Sequence, residues 1–190
     1  MMDYNGTVKV STAFISEQYD HEVQGTSVTK PLQGKGRVNA DSAVLQPISD
    51  STRGIVLSHG YCPWYSQIDT YAMAAAAIDS AVRNAVAAGA SLDHLAILDN
   101  FCWSDSNNPA RLYELKRAAQ ACYDIAISYG TPYISGKDSM FNDFRGYKGN
   151  GDPIHITALP TLLISAIGVI PDVRKVVTLD LKQPGNLVYL

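Results

Sequence analysis

Four aspartates, Asp41, Asp69, Asp99 and Asp138, stand at the ends of otherwise apolar stretches of this sequence or within them. A buried carboxylate is costly unless it meets a cation, a backbone donor or a metal ion. Oxygen ligands that converge from strand ends and one helix suit Mg²⁺, which binds through a few carboxylates together with phosphates and waters. One hypothesis is therefore a nucleotide–Mg²⁺ site. The alternative is that these carboxylates cap helices and accept hydrogen bonds at sheet ends.

The segment GKDS, residues 136–139, is similar to the end of a phosphate-binding loop. The full motif needs a glycine five residues before the Gly-Lys pair, whereas Gly130 lies six before it and a strand with Pro132 intervenes. A P-loop is therefore not predicted. A loop of Lys, Asp and Ser after a strand still has groups that bind phosphate and metal, and an ordinary solvated turn is the alternative.

Histidine and cysteine give weaker signals. His59 and Cys62 would make a nucleophile pair, but three residues across a turn is poor geometry for a dyad. His21 and His155 have no partner at metal-ligand spacing, so a surface or core role is the better interpretation. Cys102 and Trp103 are predicted to belong to the core.

Two helices and several strands must position these residues. The alanine-rich stretch from Ser66 to Gly89 predicts a helix, with Ser66 and Asp69 as a variant capping box. Ser80 and Asn84 lie four apart and therefore share one of its faces. A second helix is predicted from the cap at Asn108-Pro109 to Gly130.

Along the chain the predicted elements follow in the order strand, strand, helix, strand, helix, strand, strand. This order indicates an α+β or α/β fold, with a four- to five-stranded mixed or antiparallel sheet and two main helices on one face. We divide the chain into an N-terminal arm and loop (1–36), the folded unit (37–180) and the start of a following domain (181–190).

Composition excludes several classes of function. The formal net charge of −3 gives no basic footprint for nucleic acid. Three cysteines without metal-ligand or CxxC spacing favour reduced thiols in a cytoplasm. The N-terminus does not have the pattern of a signal peptide, and the longest apolar run, Leu159 to Ile170, is too short to span a bilayer. We therefore predict a soluble cytoplasmic protein.

Six segments together resemble one family in content and order: EQYDHEVQG, VNADSAVLQP, LSHG, QIDTYAMAAAAIDSAVRNAVAAGA, LAILDNFCW and PYISGKDSMFND. They are similar to the amino-terminal part of the second repeat of phosphoribosylformylglycinamidine synthase, over the chain from about Glu17 onward. DNFCW and GKDSM argue against other members of the same superfamily. The resemblance implies an α+β half-domain of the aminoimidazole ribonucleotide synthetase type, whose sheet pairs with a sister sheet in a barrel.

The resemblance also implies a chemistry. The family converts an amide to an amidine, using ATP, Mg²⁺ and ammonia from glutamine, and its second repeat holds ADP and Mg²⁺ at an auxiliary site. Asp41 and Asn84 match metal ligands of that site, while Ser80 replaces the usual Glu and weakens the expected Mg²⁺ affinity. Lys137, Asp138 and Ser139 are candidate nucleotide contacts. His59 departs from the family's histidine motif, and no catalytic residue is assigned.

The implied partners are the sister repeat, the carboxy-terminal domains and a glutaminase subunit or domain. The chain by itself is expected to be inactive and to form a homodimer that closes the barrel. A purely structural half-domain that binds no nucleotide is the alternative.

Overall fold

A computed structural model describes residues 13–188, apart from the side chain of Asp20. It contains three α-helices and nine strands in these residues, joined by short 3-10 helices. The helices are α1 (Ala13–Ser16), α2 (Thr70–Ala87) and α3 (Pro109–Tyr129). The strands are β1 (Leu32–Gln33), β2 (Val38–Asn39), β3 (Ser42–Leu45), β4 (Gly54–Tyr61), β5 (Leu95–Cys102), β6 (Tyr133–Ser139), β7 (Asp143–Tyr147), β8 (Pro153–Thr157) and β9 (Thr161–Ile170).

The main sheet has five strands in the order β3-β4-β9-β5-β6. Neighbouring strands run antiparallel except β5 and β6, which are parallel and are connected through α3. Two further pairs, β1–β2 and β7–β8, are separate antiparallel ribbons. This architecture confirms the predicted α+β fold with a mixed five-stranded sheet.

The core lies between this sheet and the two long helices. Burial alternates along β9, where Leu162, Ile164, Ala166 and Ile170 point into the core. The facing side of α2 is lined by small residues, four of them fully buried alanines: Ala74, Ala77, Ala81 and Ala85. Small side chains allow the helix to approach the sheet closely, so both main helices cover one face, as predicted.

Gly60 marks the closest approach between α2 and the sheet. A Cβ placed on Gly60 would lie 2.4 Å from the Ala77 carbonyl oxygen and 2.7 Å from the Ser80 Cβ. The neighbouring Ser58 hydroxyl donates a hydrogen bond of 2.7 Å to the Ala81 carbonyl. The alanine-rich sequence of α2 is therefore matched by a glycine and a serine on β4.

Neither α2 nor α3 covers the opposite side of the sheet, here called the open face. Its residues on β4, β5 and β9 are half-buried or exposed, and they alternate with the core positions. Leu57 and Tyr61, for example, are 39% and 57% exposed.

Helix α2 begins later than predicted. Asp69, not Ser66, is its N-cap, and Asp69 accepts a hydrogen bond from the Tyr71 amide. Ser66 lies in a separate 3-10 helix and donates to the Pro63 carbonyl. The predicted capping box is therefore wrong. Asn108 and Gly130 bound α3 as predicted, with Gly130 in the left-handed conformation at φ 66°.

Two strands extend further than the sequence indicated. The sequence indicates a turn between His59 and Cys62, but β4 continues through His59 and Gly60 to Tyr61. Residues 136–138 were predicted to lie in a loop, but they belong to the edge strand β6. An edge strand leaves polar side chains solvated, and this explains why its sequence resembles that of a loop.

The predicted division into three segments remains a prediction. Residues 1–12 and 189–190 lie outside the described part. The arm contacts the end of the folded unit, because the Gln33 side chain accepts a hydrogen bond of 2.7 Å from the Leu179 amide. Within residues 13–188, no helix combines the length and apolar character needed to cross a membrane.

Candidate functional site

The structure brings together two of the three predicted metal ligands. Asp41 lies between β2 and β3, and Asn84 lies in the last turn of α2. Both line one small cavity of about 100 Å³, together with Gln33 and Thr178. Asp41 is exposed and Asn84 is half-buried.

Hydrogen bonding orients the amide of Asn84. Its Nδ2 donates to the His59 carbonyl oxygen at 3.1 Å, which leaves Oδ1 as the atom available to a ligand. The cavity thus combines one carboxylate with amide and hydroxyl oxygens. Such hard oxygen donors fit a Mg²⁺ ion that also keeps several waters or phosphate oxygens. They do not form a site in which protein ligands alone surround the ion.

Ser80 does not line this cavity. It lies one turn before Asn84, and its Cβ faces Gly60. Within residues 13–188, no group of three His, Cys, Asp or Glu residues lies close enough together to hold a metal ion. Ser80 therefore serves the packing of α2 on β4 in this structure.

The predicted nucleotide contacts lie at the other edge of the sheet. Lys137, Asp138 and Ser139 belong to β6, whereas Asp41 adjoins β3. Four strand spacings separate these edges, which corresponds to about 19 Å. The two predicted sets are therefore not brought together within one chain.

The four aspartates do not converge either. Asp69 caps α2 and is bound by Arg117 of α3, whose Nε and Nη2 donate to the two carboxylate oxygens at 2.8 and 2.6 Å. The Arg117 hydrogen bonds hold the pKa of Asp69 below its usual value. Asp138 is exposed on β6. The alternative role, helix capping, is thus observed for Asp69.

Asp99 has the opposite electrostatic environment. It lies on the helix side of β5, and burial raises its pKa, although the Lys137 amide donates to it. A Cβ on Gly136 would lie 2.5 Å from its Oδ1, so the carboxylate rests against that glycine. The thiol of Cys122 lies nearby, and burial raises its pKa to about 11.

The structure also shows the environment of the tryptophan and the two cysteines considered in the sequence analysis. Trp103 is fully buried, as predicted, and its indole donates to the Arg111 carbonyl at 3.0 Å. Cys102 is only half-buried and lines a cavity on the open face, so its predicted core role is wrong. Burial raises the pKa of Cys62, which argues against a reactive thiolate beside His59.

The sequence analysis did not predict the ion pair between Asp143 and His155 in the β7–β8 hairpin. The Asp143 side chain is 4% exposed, and its Oδ2 lies 3.3 Å from His155 Nε2. Neither oxygen of Asp143 has a hydrogen bond. The two residues are two positions apart in hairpin register and share a face. The signal available in the sequence was the alternation of residues along the two strands.

Comparison with known proteins identifies the family. Residues 39–170 match the family described as AIR synthase related protein, N-terminal domain. A phosphoribosylformylglycinamidine synthase subunit PurL from Picrophilus torridus is 31% identical over 182 residues, which cover 95% of this chain and 23% of that protein. The subunit PurL from Deinococcus radiodurans is 35% identical over 177 residues, with 93% and 22% covered.

Solved structures agree with this result. The structure of PurLQS from Thermotoga maritima superposes with a TM-score of 0.68 at 27% identity, over 89% of this chain and 25% of that chain. The T. maritima PurL complexed with ADP gives 0.64 at 26% identity, over the same shares. This chain spans about a quarter of the length of these relatives. It belongs to the AIR synthase related protein family and contains the N-terminal domain of that family.

Proposed function

We propose that this chain forms one part of a phosphoribosylformylglycinamidine synthase, the enzyme named in its relatives. The reaction would convert the amide of formylglycinamide ribonucleotide to an amidine, with ATP and with ammonia from glutamine. Because the chain covers only a quarter of those relatives, we assign to it a supporting nucleotide–Mg²⁺ site. We also infer a cytoplasmic location and no role for nucleic acid.

One observation carries the assignment of the site. Asp41 and Asn84, which lie far apart in sequence and were matched to metal ligands by motif, line the same cavity. In our proposal the Asp41 carboxylate and Asn84 Oδ1 hold the cation, and the His59 carbonyl fixes the amide that presents Oδ1. Bound Mg²⁺ would neutralise the charge of the nucleotide phosphates. Lys137, Asp138 and Ser139 remain proposed nucleotide contacts, but they lie at the opposite edge of the sheet from Asp41.

A purely structural half-domain is the second candidate. The position of Ser80 favours it, since a small side chain packed against Gly60 replaces the carboxylate that the resemblance implies. With one carboxylate the site would bind Mg²⁺ weakly.

A thermal-shift titration with ADP and Mg²⁺ separates the two candidates. A ligand at 100 times its dissociation constant adds about 2.7 kcal/mol of stability. We expect a shift for the wild type and a smaller one for Asp41→Asn. Asp93→Asn is the matched control, because Asp93 is an exposed carboxylate in the 3-10 helix that precedes β5. No shift at millimolar nucleotide would favour the structural half-domain.

The open face supports a proposal about assembly. Its apolar residues include the exposed Leu57 and the half-buried Ile167, and such a surface favours association. We propose that it meets the sister repeat in a full-length enzyme and a second copy in this chain alone. Light scattering after size exclusion should give a dimer, and Leu57→Asp should give a monomer. A monomeric wild type would contradict the proposal.

The partners in a full-length enzyme would be the carboxy-terminal domains and a glutaminase subunit or domain. We therefore expect the isolated chain to be inactive. Amidine formation from ammonia and ATP by this chain alone would refute that expectation.

A further inference from the structure

The turn between β7 and β8 contains the sequence Gly-Asn-Gly at residues 149–151. All three residues are exposed, and a Cβ built on either glycine would meet no atom within 4 Å. The second glycine, Gly151, has a φ of 86°, and its amide donates to the Lys148 carbonyl at 2.9 Å. The peptide bond between Asn150 and Gly151 thus lies in an open and exposed part of the hairpin.

The side chain of Asn150 folds back toward this peptide bond. Its Oδ1 accepts a hydrogen bond of 3.2 Å from the Asp152 amide, and its Nδ2 donates one of 2.7 Å to Asp152 Oδ2. The first of these bonds closes an Asx turn, a ring of atoms that contains the Gly151 nitrogen. The carboxamide carbon of Asn150, Cγ, is therefore held near that nitrogen.

The same hydrogen bonds make Asn150 Cγ open to attack. A donor on Oδ1 stabilises the negative charge that develops on this oxygen when a nucleophile adds to Cγ. The Gly151 nitrogen is part of the same chain, so its effective concentration at Cγ is high, and glycine has no side chain to shield it. The attack requires the Gly151 amide to leave the Lys148 carbonyl, which costs little because glycine adopts many backbone conformations.

We propose that Asn150 is a site of spontaneous deamidation in the folded protein. The Gly151 nitrogen forms a bond to Asn150 Cγ, the bond between Cγ and Nδ2 breaks, and Nδ2 leaves as ammonia with the proton of the Gly151 amide. The resulting cyclic imide takes up water, which opens it to aspartate at one carbonyl or to isoaspartate at the other. No oxidation or reduction occurs, and water is the co-reactant.

Either product would loosen the β7–β8 hairpin. A carboxylate at position 150 cannot donate to Asp152 and repels its charge, while isoaspartate also adds a carbon atom to the main chain of the turn. Strands β7 and β8 pair with each other and with no other described strand, and a lone two-stranded hairpin is marginally stable. Deamidation would therefore act on the segment that carries the pair of Asp143 and His155.

The test is peptide mapping by mass spectrometry of the folded protein kept at pH 8, where loss of the amide proton is assisted by base. Trypsin cleaves after Lys148 and Arg174, and Asn150 is the one asparagine between them. Asn186 is the matched control, because it is also exposed but precedes Leu187. We expect Asn150 to be converted at least about tenfold faster than Asn186, since glycine leaves its nitrogen unshielded.

The same protein unfolded in urea separates the effect of the turn from that of the sequence. Conversion of Asn150 in urea but not in the folded protein would overturn the proposal, as would equal rates at Asn150 and Asn186. The variant Asn150→Gln keeps the amide but displaces its carbon by one bond, so the peptide that carries it should stay unmodified.

Hydrogen exchange tests the effect on the hairpin. Asn150→Asp reproduces one product, and residues 143–157 of this variant should exchange about fivefold faster than in the wild type, the effect of losing one hydrogen bond. The main sheet should exchange at the same rate in both proteins. Unchanged exchange in residues 143–157 would refute the proposed loosening.

Discussion

Arg117 of α3 donates two parallel hydrogen bonds to Asp69, the residue that caps the N-terminus of α2. The same carboxylate accepts from the Tyr71 amide, and the Arg117 guanidinium also lies 5.6 Å from the centre of the Tyr71 ring. One contact therefore both caps a helix and joins the two helices that cover the sheet.

Asp69 should make the protein sensitive to acid. Arg117 lowers the pKa of Asp69 from 3.8, so its contribution to stability is present above about pH 4 and is lost as the pH falls through the lowered value. Asp69→Ala should cost about 1 kcal/mol from the cap alone. Asp69→Asn should be less stable than the wild type at pH 7, and urea unfolding should show this difference shrinking towards pH 3. A constant difference would contradict the role of the charge.

Gly60→Ala should be strongly destabilising. The added Cβ would lie 2.4 Å from a carbonyl oxygen and 2.6 Å from the Ala81 amide nitrogen, and helix backbone cannot move aside easily. We expect a loss of at least about 2 kcal/mol in the free energy of unfolding, as for other overpacked cores. Gly149→Ala is the control, since no atom lies within 4 Å of its added Cβ. Equal unfolding midpoints for the two variants would refute this account of the α2–β4 contact.

Asp99→Asn should have the opposite pH dependence to the Asp69 variant. Burial raises the pKa of Asp99, so the stability tied to its protonated form is present below about pH 4 and is lost as the pH rises through the raised value. Asparagine has no charge to bury and keeps an acceptor for the Lys137 amide. The melting temperature of Asp99→Asn should exceed that of the wild type at pH 7.5, with a smaller excess at pH 4.5. A lower melting temperature at pH 7.5 would show that the charge is stabilising.

His155→Ala should destabilise the protein, because the Asp143 carboxylate is buried. His155 is the only described residue with a cationic form within ion-pair distance of it. Removal of His155 should lower the free energy of unfolding by about 1–3 kcal/mol, because the buried carboxylate loses its ion-pair partner. The double variant Asp143→Asn/His155→Ala should recover part of that loss. Arg145→Ala, from the exposed and longer pair with Asp105, should change the free energy of unfolding by less than about 0.5 kcal/mol. Additive effects in the double variant would argue against coupling.

The sequence predicted those parts of the fold that are determined by a few neighbouring residues. Asn108, Pro109 and Gly130 bound α3 because a cap and a left-handed stop act within one turn. The start of α2 was missed because residues 63–67 form a separate 3-10 helix. Strand β6 was missed in part because pairing with β5, rather than its own polar sequence, makes it a strand.

Of the candidate site, the sequence predicted the identity of two ligands but not their surroundings. Asp41 and Asn84 came from motif resemblance, and the structure places them on one cavity. Ser80 packs against Gly60 because α2 lies very close to β4. The sequence of the helix does not predict the distance between α2 and β4. The pairs Arg117–Asp69 and His155–Asp143 likewise depend on tertiary packing or on hairpin register.

The position of β9 has a consequence for synthesis on the ribosome. It is the last strand of the main sheet in sequence, yet it lies at the centre, where Gly54 pairs with Ile170. Strands β4 and β5 cannot join in one sheet until β9 has been translated. Until then the growing chain carries strand edges without partners, which promote aggregation, and contacts of long sequence separation form slowly. Folding of this domain therefore has to follow translation of its final strand, and chaperone protection would matter most during that interval.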